Sequence, residues 1–206
     1  MPGSDHCACC FIAPPDLLAR LAAEGEPDQR EAALRTLSAS ASLRTQRSIV
    51  SRLTRELDVP TAQLAGLPTV TEQQIVYDNQ HQGRTALPGK KVRADGDPAS
   101  SDAAVNEAFD GAAQTHDFYQ TVLKRNSVDD KGMTLVSSVH YSVGFDNAFW
   151  NGGQMVYGDG SGRIFQIGGL TKALDVIGHE LTHEWTPYDN RSRNTTTTLV
   201  REGRNE

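Results

Sequence analysis

Apolar residues recur at helical spacing in the first part of the chain, and this pattern predicts helices between residues 14 and 58. The stretch PPDLLARLAAEG starts with Pro15, which is tolerated in a first helical turn, and ends at Gly25, a typical residue just beyond a helix. A second helix is predicted to begin at Pro27 and a third to cover LRTQRSIVSRLTREL. The first part of the chain is therefore expected to be helical.

The composition changes between Pro60 and Lys90, where Gln, Thr, Gly and Pro dominate. Only QIVYDN in this region has the pattern of a strand. Such a composition is typical of a linker or a processing region, so it is expected to divide the chain.

Helical and strand patterns alternate in the second half. A long amphipathic helix is predicted after Ser101 or Asp102, either of which can cap its first turn. MTLVSSVHYSV is rich in strand-forming residues, and NAFWNGGQMVYGDGSGRIFQIGG predicts two short strands joined through GDGSG. LTKALDVIGHELTHE is helical by composition, with Leu174, Ile177 and Leu181 on one apolar side. The order of elements predicts an α+β domain preceded by a helical segment.

Charge narrows the possible partners. The 206 residues carry a net charge of −6, and Lys and Arg are scattered along the chain. Phosphate binding needs a basic stripe, so the sequence argues against a nucleic-acid partner, and the same scatter gives no support to a membrane surface. No apolar run reaches the length of a membrane span, and the N-terminus lacks the basic and apolar regions of a secretory signal peptide.

All three cysteines, Cys7, Cys9 and Cys10, lie in the motif HCACC. Three cysteines within four positions cannot cross-link distant parts of a fold, so free thiols are expected. With His6 they could instead form a small metal site, for which four ligands would need a turn to converge. Free thiols are the favoured interpretation.

The motif His179-Glu180-Leu181-Thr182-His183 has the form H-E-x-x-H. Histidines four residues apart project from one face of a helix about one turn apart, so both imidazoles can reach the same ion. Glu180 lies about 100° around the helix from His179, where a carboxylate can contact water on the ion without ligating it. Zinc lowers the pKa of its bound water to about 7, and such a carboxylate can accept the proton as water attacks an amide. The motif predicts two zinc ligands and a general base.

The same three side chains could instead be solvated polar positions of an ordinary helix. They follow the apolar stretch ALDVIG, however, and burying three ionisable groups without a partner is costly. A bound metal would remove that cost, so the context favours zinc. A catalytic zinc also needs a third protein ligand and an open water position, and no residue obviously supplies that ligand.

Two separated motifs give the chain a family resemblance. NAFWNGGQMVYGDG (147–160) followed by LDVIGHELTH (174–183) resembles the thermolysin-like zinc metallopeptidases of family M4, and the similarity covers roughly residues 75–183. FIAPPDLLARLAAEG resembles the short propeptide of the protealysin-type branch of that family. The resemblance implies a helical propeptide over residues 1–73, with processing near Gln74–Tyr77. It also implies a mainly antiparallel β N-terminal catalytic domain over 74–183 that ends in the zinc helix.

The resemblance implies roles for individual residues as well. His179 and His183 would ligate zinc, and Glu180 would be the catalytic base. A peptide substrate would lie along an edge strand at Asn147 and Ala148, where it would be added as a further strand. The Asn147 side chain would bond to the substrate backbone, and the Ala148 carbonyl would meet a substrate amide.

Calcium, partners and location are further implications of the resemblance. Asp175 falls where the family often has a calcium ligand, so Ca²⁺ is a second expected cofactor, with an exposed helix carboxylate as the equal alternative. The expected partners are a peptide or protein substrate and the chain's own propeptide. The family implies secretion, and a cytoplasmic location is the alternative because no secretory signal peptide is present.

The match to the family ends after His183, where Pro187 would stop the zinc helix. The family's third zinc ligand lies in an Asn-Glu pair on a following helix, which this chain does not show, so we interpret the chain as truncated. Codons can be chosen for RNTTTTLV that encode family-like sequence in another frame, and we interpret residues 184–206 as out-of-frame translation. Glu206 of the closing Asn205-Glu206 is then a weak candidate for the third ligand.

Two functions follow from these patterns. The first is a zinc-dependent metalloendopeptidase made as a proenzyme, with Glu180 as general base. The second is a catalytically incomplete fragment that acts at most as a pro-segment inhibitor or chaperone, or as a weak zinc binder. Each missing transition-state donor removes about 3–4 kcal/mol of electrostatic stabilisation, so we expect the 206 residues by themselves to be poorly folded and nearly inactive. A structural zinc domain that combines His179 and His183 with the cysteines ranks last.

Overall fold

The computed structural model of the chain describes residues 11–57, 67 and 72–182. Two helices come first, α1 (Pro15–Glu24) and α2 (Pro27–Leu57). After them come strands β1 (Gln74–Asp78) and β2 (Lys90–Ala94), helix α3 (Ala103–Thr121), strands β3 (Leu135–Val139), β4 (Ala148–Trp150) and β5 (Met155–Tyr157), and helix α4 (Leu174–Thr182). A short 3-10 helix, Arg84–Ala86, lies between β1 and β2. Over the described residues, no helix combines the length and the apolar character needed to cross a membrane.

A five-stranded sheet in the order β2-β1-β3-β5-β4 forms the centre of the fold. The outer pairs β1–β2 and β4–β5 are antiparallel, whereas β1–β3 and β3–β5 are parallel. The α+β class is confirmed, and the sheet is evenly mixed where a mainly antiparallel one was expected. The three parallel strands β1, β3 and β5 therefore end at the same edge of the sheet, and β4 is left as an outer strand.

The main core lies between the sheet and helices α3 and α4. The Asp102 side chain accepts a hydrogen bond from the Ala104 N–H at 2.9 Å, which confirms the predicted N-cap of α3. On α3, Val105 and Ala108 are fully buried, whereas Phe118 is 51% exposed. The core is completed by residues of the strands and of α4, among them Trp150, Tyr157, Ile177 and Leu181.

The second and third predicted helices are a single helix, so that prediction is wrong. Helix α2 runs without interruption for 31 residues from Pro27 to Leu57. The Ser42 hydroxyl donates to the Ser38 carbonyl at 3.3 Å and the Thr45 hydroxyl to the Ala41 carbonyl at 3.0 Å. These hydroxyls bond within the helix, and no Gly or Pro interrupts it, so the Ser-rich stretch does not act as a break.

The predicted turn between the last two strands is also wrong. Strands β4 and β5 are joined through residues 151–154, and GDGSG follows β5. The Asn151 side chain closes this turn, because its oxygen accepts from the N–H groups of Gly153 and Gln154, each at 3.0 Å. Strand β2 was not predicted, and it begins at Lys90, the last residue of the predicted linker; its lysines are typical of sheet edges.

The predicted processing region meets the sheet. Gln74–Asp78 is strand β1, which is paired on both sides, with β2 and with β3. Cleavage within β1 would require the sheet to open, so processing near Gln74–Tyr77 stays a prediction. The cysteine motif and residues 184–206 lie outside the described residues.

Candidate active site

Helix α4 is fixed against α3 by close packing at a glycine. A Cβ atom on Gly111 of α3 would lie 2.3 Å from the Ile177 side chain, so only glycine allows Ile177 to approach this closely. Ile177 and Leu181 are each 1% exposed, and the Tyr119 hydroxyl contacts the Thr182 hydroxyl at 3.1 Å. These contacts set the position of the helix that carries His179 and Glu180.

Glu180 is buried, in contrast to an ordinary helix carboxylate. It is fully inaccessible to solvent, and its Oε2 accepts a hydrogen bond from the Trp150 N–H at 3.0 Å. Its other oxygen, Oε1, has no hydrogen-bond partner among the described residues. Burial raises the pKa of Glu180 to about 8, against the smaller opposing effects of the Trp150 N–H and the Arg47 charge. A buried acid with one unbonded oxygen, held at the end of β4, is suited to exchanging a proton with a ligand.

The structure describes only some of the other predicted site residues. His179 is exposed on α4, one position before the buried Glu180. His183 lies outside the described residues, as does Glu206. Asp175 is exposed in the first turn of α4, and among the described residues it belongs to no group of three possible metal ligands. Calcium binding at Asp175 therefore stays a prediction.

Ala148 is the first residue of β4, the outer strand where a substrate was predicted to bind, and Asn147 directly precedes it. The chain's own N-terminal residues contact both. The Asn147 side chain accepts from the Ala13 N–H at 2.9 Å and donates to the Ala13 carbonyl at 3.2 Å. The Ala148 carbonyl accepts from the Ile12 N–H at 3.4 Å. Residues 11–13, which we call the docking segment, thus use the hydrogen-bonding groups that the resemblance assigns to a peptide substrate.

Aromatic packing holds the docking segment in place. The ring of Phe11 stacks on Phe149 of β4 with centroids 5.5 Å apart, and the Arg44 guanidinium lies 5.3 Å from the centre of the Phe11 ring. Phe11 is only 7% exposed and shares a cluster with Leu43 of α2. The docking segment and α2 therefore cover β4 together.

Helix α2 also bonds directly to the strand region. The buried Thr36 hydroxyl accepts from the Asp146 N–H at 3.1 Å, and the Arg47 guanidinium donates to the Trp150 carbonyl at 3.3 Å. The sequence predicted a propeptide over residues 1–73 but not which of its residues contact β4. Nothing in their local pattern shows it, because the contacts join residues more than 100 positions apart.

Comparison with known proteins extends these observations. The sequence profile of the thermolysin metallopeptidase catalytic domain matches residues 51–186. An extracellular metalloprotease of Pectobacterium carotovorum subsp. carotovorum is 41% identical over 174 residues, which cover 84% of this chain and 46% of that protein. A thermolysin of Alicyclobacillus acidocaldarius subsp. acidocaldarius is 47% identical over 117 residues, which cover 55% of this chain and 20% of that protein. The solved precursor of protealysin, a metalloproteinase from Serratia proteamaculans, matches with a TM-score of 0.65 and 36% identity over 85% of this chain and 46% of that one.

A helix that carries His179 and Glu180 packs against a mixed sheet in this chain, and its matches are metallopeptidases. The chain belongs to the thermolysin metallopeptidase family, which confirms the resemblance. It spans about half the length of the Pectobacterium protease and of the protealysin precursor. The profile begins at residue 51, inside α2, so the boundary predicted at residue 74 stays a prediction.

Proposed function

We propose that the chain carries the chemistry of a zinc-dependent metalloendopeptidase in precursor form, with Glu180 as general base. The observation that carries this proposal is the buried carboxyl of Glu180, bonded through one oxygen to the end of β4. Family membership supports peptide-bond hydrolysis as the reaction. The Pectobacterium relative is named extracellular, which supports secretion as the destination.

The residues present fit a zinc ion. His179 and His183 would hold it, since imidazoles four residues apart on a helix can reach one ion. When bound, zinc supplies a water of lowered pKa. In the ionised form of Glu180, the orphaned Oε1 would accept a proton from such a water, because Oε2 is already bonded to Trp150. A third protein ligand is not identified among the described residues.

The outer strand β4 would hold the substrate. Asn147 and the Ala148 carbonyl offer one side-chain amide and one backbone acceptor to an extended peptide, which is recognition by strand addition. The docking segment takes up the same groups, so the chain in this form would be inhibited by its own N-terminal residues. A precursor that is activated by removal of this segment explains both the strand and its cover.

Hydrolysis by the purified chain tests the proposal. We expect low but zinc-dependent cleavage of an internally quenched peptide, abolished by a chelator. Glu180→Gln is expected to lower the rate by about 10²-fold or more, because a positioned general base is lost, while the zinc content stays unchanged. Glu107→Gln is the matched control on α3, since glutamine can still accept the bond from Thr171. Cleavage that is indifferent to chelator or to Glu180→Gln contradicts the proposal.

A second candidate function is that of a non-catalytic remnant acting through its pro-segment. The contacts of the docking segment with Asn147 and β4 favour this candidate. They would block substrate binding at β4 whether or not the chain has a complete zinc site. This candidate is favoured if the chain cleaves no peptide with or without added zinc while limited proteolysis shows the docking segment still bound.

Phe11→Ala tests how the docking segment is held. Truncating a buried aromatic ring removes about 3 kcal/mol or more of packing, so undocking is expected to become at least tenfold more frequent. Limited proteolysis of the N-terminal residues, followed over time, measures this as a faster rate of cutting. Leu17→Ala in α1 is the control, because Leu17 is 47% exposed and its loss is expected to change the rate little. Equal cutting rates in both variants contradict the expectation.

A further inference from the structure

Three possible metal ligands meet at the edge of the sheet where the parallel strands end. His81 follows β1, His140 follows β3 and Asp159 follows β5. These strands are neighbours in the sheet and run in the same direction, so the residues after them come together. The His81 N–H donates to the His140 carbonyl at 2.8 Å, which ties two of the three segments to each other.

The ligand atoms are already close. His81 Nε2 lies 2.6 Å from one oxygen of Asp159, and His140 Nδ1 lies 2.8 Å from the other. All three ligand atoms lie within 4.8 Å of one another. In a tetrahedral zinc site with bonds of about 2.0–2.1 Å, ligand atoms are about 3.3 Å apart, so the two nitrogen–oxygen distances would lengthen by roughly 0.5–0.7 Å. The His81 side chain is 46% exposed, so it has room to move and leaves a path for an ion to enter.

A fourth residue supports the arrangement from outside. His140 Nε2 lies 2.8 Å from the free carboxylate oxygen of Asp102, whose other oxygen caps α3. Metal-ligating histidines commonly donate their second ring nitrogen to a carboxylate, which fixes the ring and increases its basicity. His140 thus directs Nδ1 toward Asp159, and its Nε2 bonds to a carboxylate, as the second nitrogen of a metal-ligating histidine commonly does.

We propose that His81, His140 and Asp159 form a second metal site, which binds a divalent transition metal such as Zn²⁺ and is separate from the H-E-x-x-H helix. Two imidazoles and one carboxylate are a ligand set that suits zinc and its first-row neighbours. Three protein ligands leave room for water in the remaining position. With Asp102 included, the cluster brings two carboxylates to two imidazoles, so a divalent cation balances its charge.

Carboxylates lie on both sides of the His140 ring. An oxygen of Asp159 is 2.8 Å from Nδ1 and an oxygen of Asp102 is 2.8 Å from Nε2. Two negative charges this close favour a cation at the cluster.

Cobalt binding isolates this site from the other possible ligands. The 206-residue chain is prepared with His179 and His183 replaced by alanine and the three cysteines by serine, so that the H-E-x-x-H helix and the thiols cannot contribute. We expect this background chain to bind one Co²⁺ with the visible absorption of nitrogen and oxygen ligands, and Zn²⁺ to displace it. The result does not depend on peptidase activity, so it stands or fails separately from the proposed function.

Single replacements in that background assign the ligands. His81→Ala and Asp159→Asn are each expected to weaken Co²⁺ binding by at least tenfold, and Gln82→Ala in the same turn is the control that leaves it unchanged. Asp102→Asn is expected to weaken it by about 10–100-fold, because asparagine still caps α3 but cannot accept from His140. Circular dichroism of the metal-free variants checks the fold, and His81→Gln replaces His81→Ala if the latter unfolds.

Two outcomes overturn the proposal. One is a background chain that binds no Co²⁺, which makes the cluster an ionic network only. The other is Co²⁺ binding that is equally strong in the His81, Asp159 and Gln82 variants, which places the ion elsewhere.

Discussion

Glu180→Gln is expected to stabilise the metal-free chain by about 5 kcal/mol at alkaline pH and to change its stability little in mild acid. The carboxyl is inaccessible to solvent, and one of its oxygens has no hydrogen-bond partner among the residues that the structure describes. Burial disfavours the charged form and raises its pKa from the ordinary 4.5 to about 8. Glutamine keeps the acceptor for the Trp150 N–H and carries no charge.

The direction of the effect follows from proton binding. Below about pH 4.5 the carboxyl is protonated in both the folded and the unfolded chain, so it contributes equally to each. As the pH rises toward 8, the unfolded chain loses the proton and the folded chain keeps it, so the free energy of unfolding falls by about 1.4 kcal/mol per pH unit. Above pH 8 the loss is complete. Glutamine does not titrate, so the variant does not undergo this loss.

Urea unfolding in the presence of a chelator measures the effect, at about pH 5 and about pH 9. The difference between the two free energies of unfolding is expected to be several kcal/mol smaller in Glu180→Gln than in the unmodified chain. Glu24→Gln, at an exposed position of α1, is the control and is expected to leave that difference unchanged. A pH dependence that is the same in all three chains contradicts a buried, unpaired carboxyl at Glu180.

Trp150→Ala is expected to lower the free energy of unfolding by about 3–5 kcal/mol, the second large effect. Trp150 is 1% exposed in the main core, and its backbone N–H and carbonyl bond to Glu180 and Arg47. The substitution keeps those backbone groups and removes the indole, so a cavity forms between the sheet and α4. Total stabilities of domains are about 5–15 kcal/mol, so this variant is expected to be close to unfolding.

The matched control for this loss is Phe118→Ala. Phe118 is also a large aromatic residue, but it is 51% exposed on α3, so its truncation is expected to cost about 0.5 kcal/mol or less. Denaturant midpoints of the two variants, measured side by side with the unmodified chain, give the comparison. Similar midpoints for both variants would show that the core around Trp150 is not packed as described.

Periodicity predicted those parts of the fold that depend on local sequence. Helix α3 with its Asp102 cap, strand β1 and helix α4 were all found in the predicted places. Helix α2 was divided into two helices in the prediction, whereas in the structure it runs unbroken and bonds to Asp146 and Trp150, contacts that no local pattern contains. The sheet order was not predictable, because parallel pairing between β1 and β3 depends on contacts far apart in the chain.

In the candidate site too, features within one segment were predictable from the sequence, and contacts between distant segments were not. The H-E-x-x-H spacing was enough to predict Glu180 as a site residue, because the motif is a short local pattern; His179 and Glu180 are neighbours on α4. Its burial against Trp150 and the contact of Asn147 with Ala13 each join separate elements, so no local pattern contains them. His81, His140 and Asp159 were missed for this reason too, since each is an unremarkable polar residue in its own segment.

The residues that cover β4 are synthesised well before β4 itself. The docking segment and α2 leave the ribosome long before Asn147 does, since 90 residues separate Leu57 from Asn147 (147 minus 57). At synthesis rates of about 5–20 residues per second, this delay is roughly 5 to 20 s. Throughout that time Phe11 and Leu43, which end up in a shared aromatic cluster, are without Phe149. The growing chain therefore exposes these apolar side chains until β4 has been synthesised. A chaperone would have most effect on the yield of folded protein during this interval.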